Sequence, residues 1–310
     1  MDALDQVRLV FEPESLLLLN AILGLIMFGV ALDLRGDDFR RILREPRAVF
    51  IGLFGQLALL PALTFALIVL LQPQPSVGLG MLIVASCPGG NLSNVITHLG
   101  GGNTGVSITM TAITTFAAIV MTPFNLALWG TRDPQIAALL TDVALDTGDM
   151  VMTIGLILGL PLVFGMTLAA RRPKIAERLR RPMRWLSLLF LALFIVGALA
   201  KNWSHFVAHI SALIGIVALH NALGFTLGNL IGRAGRLTRA DRRALTIEVG
   251  IQNSGLGLVL IFTFFDGIGG AALIAAWWGV WHLIAGLTIA GSWALWSRRF
   301  GAPELASGTG

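Results

Sequence analysis

Charge is what this chain has least of: 13% of its 310 residues are Asp, Glu, Lys or Arg, 55% are hydrophobic, and the mean hydropathy is +0.81. That excludes a water-soluble domain, which needs far more charge to cover its surface. Cysteine is nearly absent, with Cys87 alone, so no intramolecular disulfide forms, and no cluster has zinc or iron-sulfur spacing. The pI near 10.8 would suggest nucleic acid in a soluble protein. Here the basic residues sit in loops and read as membrane topology, with no nucleic-acid partner and no protein partner implied. Met1 to Glu14 is acidic, lacks a basic n-region and precedes a full-length span, so no cleavable signal peptide is expected.

What is present is a series of long apolar runs, and the lipid bilayer is their natural solvent. Nine segments, at about 15–33, 47–72, 77–98, 103–130, 148–170, 183–200, 203–232, 240–265 and 269–297, suit a hydrocarbon core of about 30 Å. With nine spans, 19 of the 22 basic residues fall on one side, and only Arg8, Arg132 and Lys201 on the other. The positive-inside rule then predicts an outside N-terminus and a cytoplasmic C-terminus in a multi-pass plasma-membrane protein, the inner membrane of a bacterium.

The third and eighth segments are interrupted by small and polar residues, at Ser86–Asn94 and Glu248–Gly255. In hydrocarbon an unsatisfied backbone group costs several kcal/mol, so such breaks survive only inside protein or beside a polar cavity. Segments five apart run in opposite directions, which predicts an inverted repeat with broken helices in matching places, as in secondary transporters. The expected division is an extracytoplasmic segment 1–14, a first repeat of four helices at 15–130, a connecting loop at 131–147, a second repeat of five helices at 148–297, and a cytoplasmic tail at 298–310. Segment 148–170 has no partner, consistent with two five-helix repeats from which the first helix is missing.

Glu248 is the only acidic residue well inside a span, and no lysine or arginine lies well inside a span to pair with it. An acidic group at helix centre costs about 2.5 to 3.5 kcal/mol on insertion scales, so it faces a partner or a cavity. A structural, protonated glutamate is the bland alternative. A bound cation is the natural counter-charge, and Na⁺, a hard ion, takes oxygen ligands. Ser93 and Asn94 follow the first break, Ser107 and Thr111 share one helix face, and Gln56 is another midspan polar group. Gly224, Gly228 and Gly232 form a ridge suited to close helix packing. Trp277, Trp278 and Trp281 serve either as anchors or as cavity lining. His282 either contacts substrate or bonds a neighbouring carbonyl, and His98, His205, His209 and His220 read as structural.

Cys87 to Asn94 and Glu248 to Gly255 resemble the CPGG…SN and EVGxQNSG signatures of the bile acid:sodium symporter family, shared by bacterial homologues and apical sodium-dependent bile acid transporters. The resemblance covers nearly the whole chain. It implies an all-α fold with two crossed broken helices, a core domain (47–130 plus 203–297), a panel domain (15–33 plus 148–200), and two Na⁺ sites. The first would use Ser93, Asn94, Ser107, Thr111 and Glu248; the second Gln56, Glu248 and Gln252 with the carbonyls of Val249 and Ile251. The count of nine helices resembles vertebrate members, whereas bacterial members of known structure have ten. Asn91 replaces the family's substrate-facing threonine, and Leu283 an asparagine often found after His282.

The expected function is Na⁺-coupled symport of an organic anion, a bile acid or a smaller carboxylate, by alternating access. Half-helix N-termini near Asn91 and at Asn253–Ser254 favour an anionic group, with His282 bounding the cavity. One rival is a metalloid or proton-coupled exporter using Cys87, because thiolates bind soft centres. A second is an intramembrane enzyme, but no span holds an aspartate pair and no serine and histidine pair has supporting context.

Overall fold

A computed structural model describes Asp5 and residues 13–33, 46–90, 92–142, 147–201 and 203–299. Asn91, most of the 1–14 segment, the loop at 34–45, part of the connecting loop (143–146) and nearly all of the expected tail (300–310) lie outside the described residues. Among the described residues the protein is helical, without a strand. Helix α1 is Pro13–Asp33, and α2 runs from Pro46 to Leu71 with a π-helical turn at Gly55–Leu59. The third segment is two helices, α3 (Pro75–Ser86) and α4 (Leu92–Leu99); α5 is Thr104–Gly130. Within the 131–147 connection a short α6 (Pro134–Asp142) forms, because the Asp133 carboxylate accepts the N–H groups of Gln135 and Ile136 at 2.9 and 3.0 Å.

The later half continues with α7, made of Thr147–Ile154, a π-helical turn at Gly155–Gly159 and Leu160–Arg171, then α8 (Pro173–Lys201) and α9 (Trp203–Ala234). The eighth segment again divides, into α10 (Arg239–Gly250) and α11 (Ser254–Phe264), and α12 (Gly269–Arg299) ends the described chain. Five helical stretches among the described residues are long and apolar enough to cross a membrane: Pro46–Leu71, Thr104–Gly130, Gly148–Arg171, Leu213–Ala234 and Gly269–Ser297. Their outward faces are apolar, with Leu70 78%, Met152 66% and Phe164 65% exposed, as a surface solvated by lipid requires.

Helices α3 and α11 are too short to span and are buried nearly all round. Every α3 residue from Ser76 to Ser86 is buried, as is α11 from Leu256 to Phe262. They pack on each other and on α12 in the main hydrophobic cluster. Helix α1 packs mostly on α7 and α8, touches α11 as well, and adds Met27, Val30 and Ala31 to the same cluster. The glycine ridge of α9 lies on α10, where added Cβ atoms at Gly224 and Gly228 would stand 3.0 Å from the Val249 carbonyl oxygen and 2.4 Å from that of Leu245. This close approach, the packing expected from the spacing, holds the interrupted eighth segment against an uninterrupted helix.

The two π-helical turns have one cause. Each is followed at once by Leu-Pro, Leu60-Pro61 or Leu160-Pro161. Proline lacks an N–H and its ring crowds the carbonyl four residues back, so the helix widens there. At Pro61 that carbonyl belongs to Leu57, and Asn125 Nδ2 on α5 donates to it at 2.9 Å. The widened turn contains Gln56, which is buried.

Candidate functional site

The two interruptions lie against each other. Gly89 and Gln252 form an isolated antiparallel bridge, with Gly90 N–H donating to the Ile251 carbonyl and Asn253 N–H to the Pro88 carbonyl, both at 2.9 Å. Broken helices expose backbone groups, and here most find partners nearby. The Ser86 carbonyl accepts from Thr122 Oγ1 at 2.7 Å, the Val249 carbonyl from Gln252 Nε2 at 2.8 Å, and the Gly250 carbonyl from Asn221 Nδ2 at 2.7 Å. Glycine is required at the contact. A Cβ on Gly89 would sit 2.3 Å from Glu248 Oε1, and one on Gly90 would sit 2.9 Å from the Gln252 carbonyl oxygen.

Glu248, fully buried on the last turn of α10, is surrounded by oxygen. Ser93 Oγ and Ser107 Oγ donate to its Oε2 at 2.5 and 2.6 Å, and Thr111 Oγ1 to its Oε1 at 2.6 Å. Asn94 Oδ1 faces Ser107 Oγ at 2.8 Å and Thr111 Oγ1 at 3.2 Å, and Thr111 Oγ1 also lies 3.0 Å from the Ser107 carbonyl. Ser107 and Thr111 do share one face of α5, and the bridge brings α4 and α10 to it. Ser93, Asn94, Ser107, Thr111 and Glu248 thus converge. No basic side chain pairs with Glu248 among the described residues: the nearest along the chain, Arg243, donates to the Gly100 carbonyl at 2.8 Å and lies 5.2 Å from the Trp293 ring centroid.

The protons do not cover these contacts. Ser93, Ser107 and Thr111 bring three hydroxyl hydrogens to six oxygen–oxygen contacts of 2.5 to 3.2 Å. Even a protonated Glu248 would add only one. The Asn94 carboxamide presents its oxygen to this set, and a hard cation in its midst would satisfy all of these oxygens together. The donor set is all oxygen with one carboxylate, which suits such an ion.

A second set lies across Glu248's own chain. Gln56 Nε2 donates to Gln252 Oε1 at 2.7 Å, while Gln56 Oε1 is buried without a partner among the described residues. The Val249 and Ile251 carbonyls each accept one hydrogen bond, leaving a second lone pair. Of the substrate candidates, Asn253 spends its Oδ1 on capping α11, accepting from Leu256 N–H at 3.0 Å, which leaves its NH₂ as donor. Ser254 opens α11 and is buried. His282 is buried on α12, its Nδ1 lacks a partner, and no hydrogen bond joins it to Asn253 or Ser254 among the described residues. Of the three tryptophans, Trp278 is buried against the His220 ring, while Trp277 and Trp281 are partly buried. Cys87 is buried in the main hydrophobic cluster, and no group of three or more His, Cys, Asp and Glu that could hold a metal ion occurs among the described residues.

Two polar contacts within the spans go beyond the sequence expectations: Asn221 Nδ2 to the Gly250 carbonyl, and a bond of 2.7 Å between His220 Nε2 and Thr64 Oγ1. Asn221 is a midspan polar residue, the same signal that marked Gln56.

Known proteins are similar to this chain in sequence. A family model described as the Sodium Bile acid symporter family matches residues 20–209. The chain is 29% identical over 276 residues to the uncharacterized sodium-dependent transporter YocS of Bacillus subtilis (strain 168), covering 89% of this chain and 83% of that one. It is 31% identical over 271 residues to the probable sodium/metabolite cotransporter BASS1, chloroplastic, of Arabidopsis thaliana, covering 87% and 65%. It is 27% identical over 303 residues to the sodium-dependent organic anion transporter of Rattus norvegicus, covering 96% and 78%. These matches show that the chain is a transporter, not an enzyme, and that it belongs to the sodium bile acid symporter family.

Proposed function

We propose that the protein is a sodium-coupled symporter of an organic anion working by alternating access, with Na⁺ in the cage around Glu248. The observation that carries this is a fully buried carboxylate ringed by the side-chain oxygens of Ser93, Asn94, Ser107 and Thr111, with no basic partner among the described residues. Ser93, Asn94, Ser107, Thr111 and Glu248 hold the first ion. Gln56, Glu248 and Gln252 with the Val249 and Ile251 carbonyls hold the second, Gln56 being presented by the π-helical turn. Glu248 serves both, so the two ions share a counter-charge and bind interdependently.

The anion sits at the other side of the bridged interruptions, near Asn91, Asn253, Ser254 and His282. Helix α11 begins there, so its N-terminus favours negative charge, and with its Oδ1 spent on the cap Asn253 offers its NH₂ as a donor. With Leu283 in place of an amide, a monoanion with an apolar body fits better than a heavily hydroxylated ligand. Because α3–α4 and α10–α11 touch through the bridge, ions that fix the interruptions also fix the anion's donors, which couples the two cargoes. In this reading the nine spans form an inverted repeat, α1, α7 and α8 are the panel, and the remaining helices are the core that moves against it. The packing of α1 on α7 and α8 supports that division.

Proteoliposome uptake of a panel of labelled organic anions, with an inward Na⁺ gradient, a K⁺ gradient or none, tests the reading. Uptake driven by Na⁺ alone is expected. Equal uptake with K⁺, or uptake lost on replacing Cys87 and indifferent to Na⁺, would overturn it.

A further inference from the structure

Two carboxamides grip the second interruption alike and leave the same atom over. Gln56 donates its Nε2 to Gln252 Oε1, and its own Oε1 accepts nothing. Asn221, on α9, donates its Nδ2 to the Gly250 carbonyl at 2.7 Å, and its Oδ1, although the residue is fully buried, likewise accepts nothing among the described residues. A buried acceptor left unsatisfied is costly. Two of them beside one short segment imply something that both of them bind.

The packing register puts Asn221 at the right height. Along α9, Gly232 lies against Arg242, Gly228 against Leu245 and Gly224 against Val249, so the helices run antiparallel. Asn221, three residues beyond Gly224, is level with Gly250, the first residue of the interruption, whose carbonyl its Nδ2 meets. The two carboxamides also hold matching places in the chain. Gln56 stands 33 residues before Gly89 and Asn221 stands 31 before Gln252, and Gly89 and Gln252 are the two bridged residues. The surroundings are rich in acceptors: the Val249 and Ile251 carbonyls and Gln252 Oε1 already accept one hydrogen bond each.

We infer that Asn221 is a ligand of the second sodium ion, its Oδ1 coordinating the cation while its Nδ2 fixes the Gly250 carbonyl. This rests on the sodium-coupled reading, and extends the second site to α9. Binding of Na⁺ there ties α9 to the interrupted segment, so that α2, α9 and α10 respond to one ion.

The test is a thermal-shift titration of the detergent-solubilised protein with sodium chloride against potassium chloride, in the parent, Asn221→Ala and Asn221→Asp. Alanine loses both oxygen and donor, and apparent Na⁺ affinity falls by about tenfold or more, the scale seen when groups supporting a metal site are removed. Aspartate keeps an oxygen and loses the NH₂, so it retains the Na⁺ response at or below the parent's midpoint concentration. Equal weakening in both variants would reduce Asn221 to a grip on Gly250 and overturn the inference, as would an unchanged response in alanine. A parent without any Na⁺ response would instead refute the sodium reading itself. If alanine does not fold, a high-resolution structure in sodium chloride decides: a peak about 2.5 Å from Oδ1 that disappears in choline chloride is the ion, and a peak that persists is water, which overturns the inference.

Discussion

Replacing Thr111 by valine tests the oxygen cage at one atom. Thr111 is fully buried, and valine keeps its branched shape, so packing survives while one oxygen and one proton disappear. The lost oxygen is 2.6 Å from Glu248 Oε1 and 3.2 Å from Asn94 Oδ1. A contact to a charged group is worth about 1.5–3 kcal/mol, or roughly ten- to a hundredfold in apparent Na⁺ affinity. The second site retains Glu248, so stabilisation persists at higher sodium rather than vanishing. Thr115→Val is the control. Its hydroxyl donates to the Thr111 carbonyl at 2.6 Å along the same helix, outside the cage, so its Na⁺ midpoint should match the parent's. The assay is melting temperature against sodium concentration at constant ionic strength, with potassium as replacement. An unshifted midpoint in Thr111→Val, or the same shift in Thr115→Val, would refute the cage.

Asn253→Asp keeps the oxygen that caps α11 and removes the NH₂, so the melting temperature should hold while anion uptake falls at least about tenfold, the charge now repelling the substrate; uptake equal to the parent's would remove Asn253 from the anion site. Asn125→Leu leaves the Leu57 carbonyl without its donor at the widened turn, which should cost about 1–3 kcal/mol of stability and weaken sodium binding through Gln56; a chemical-denaturation curve and sodium titration matching the parent's would contradict this. With cysteines placed singly at Gln135 and at Glu177 in a variant lacking Cys87, both positions being exposed, an impermeant maleimide should label intact cells at Gln135 only; labelling of both, or of Glu177 alone, would reverse or break the nine-span topology.

Much of the site is legible in the sequence because membrane depth makes polarity conspicuous. Glu248 and Gln56 stand out against apolar neighbours, and the small residues of Cys87–Gly90 mark a break because a helix has no use for Pro-Gly-Gly there. The spacing of Ser107 and Thr111 already fixes a common face. What the residues do not say is which partner each hydroxyl finds, since that depends on the antiparallel bridge between Gly89 and Gln252, two positions far apart in the chain. The widened turn at Gln56 has a local cause in Pro61, but the carbonyl it frees is met by Asn125 on another helix. Asn221 was readable by polarity alone, yet its relation to Gly250 needs the register set by the glycine ridge. The short α6 was hidden because Asp133 and Pro134 signal a helix start as readily as a turn.

The most direct test of the sodium cage is equilibrium binding of radiolabelled Na⁺ to the purified protein and to Glu248→Ala. Saturable binding to the parent, displaced by unlabelled Na⁺ but not by K⁺, and absent from Glu248→Ala, is the expected result. Binding that K⁺ displaces equally, or that Glu248→Ala retains at the parent's level, would contradict the account.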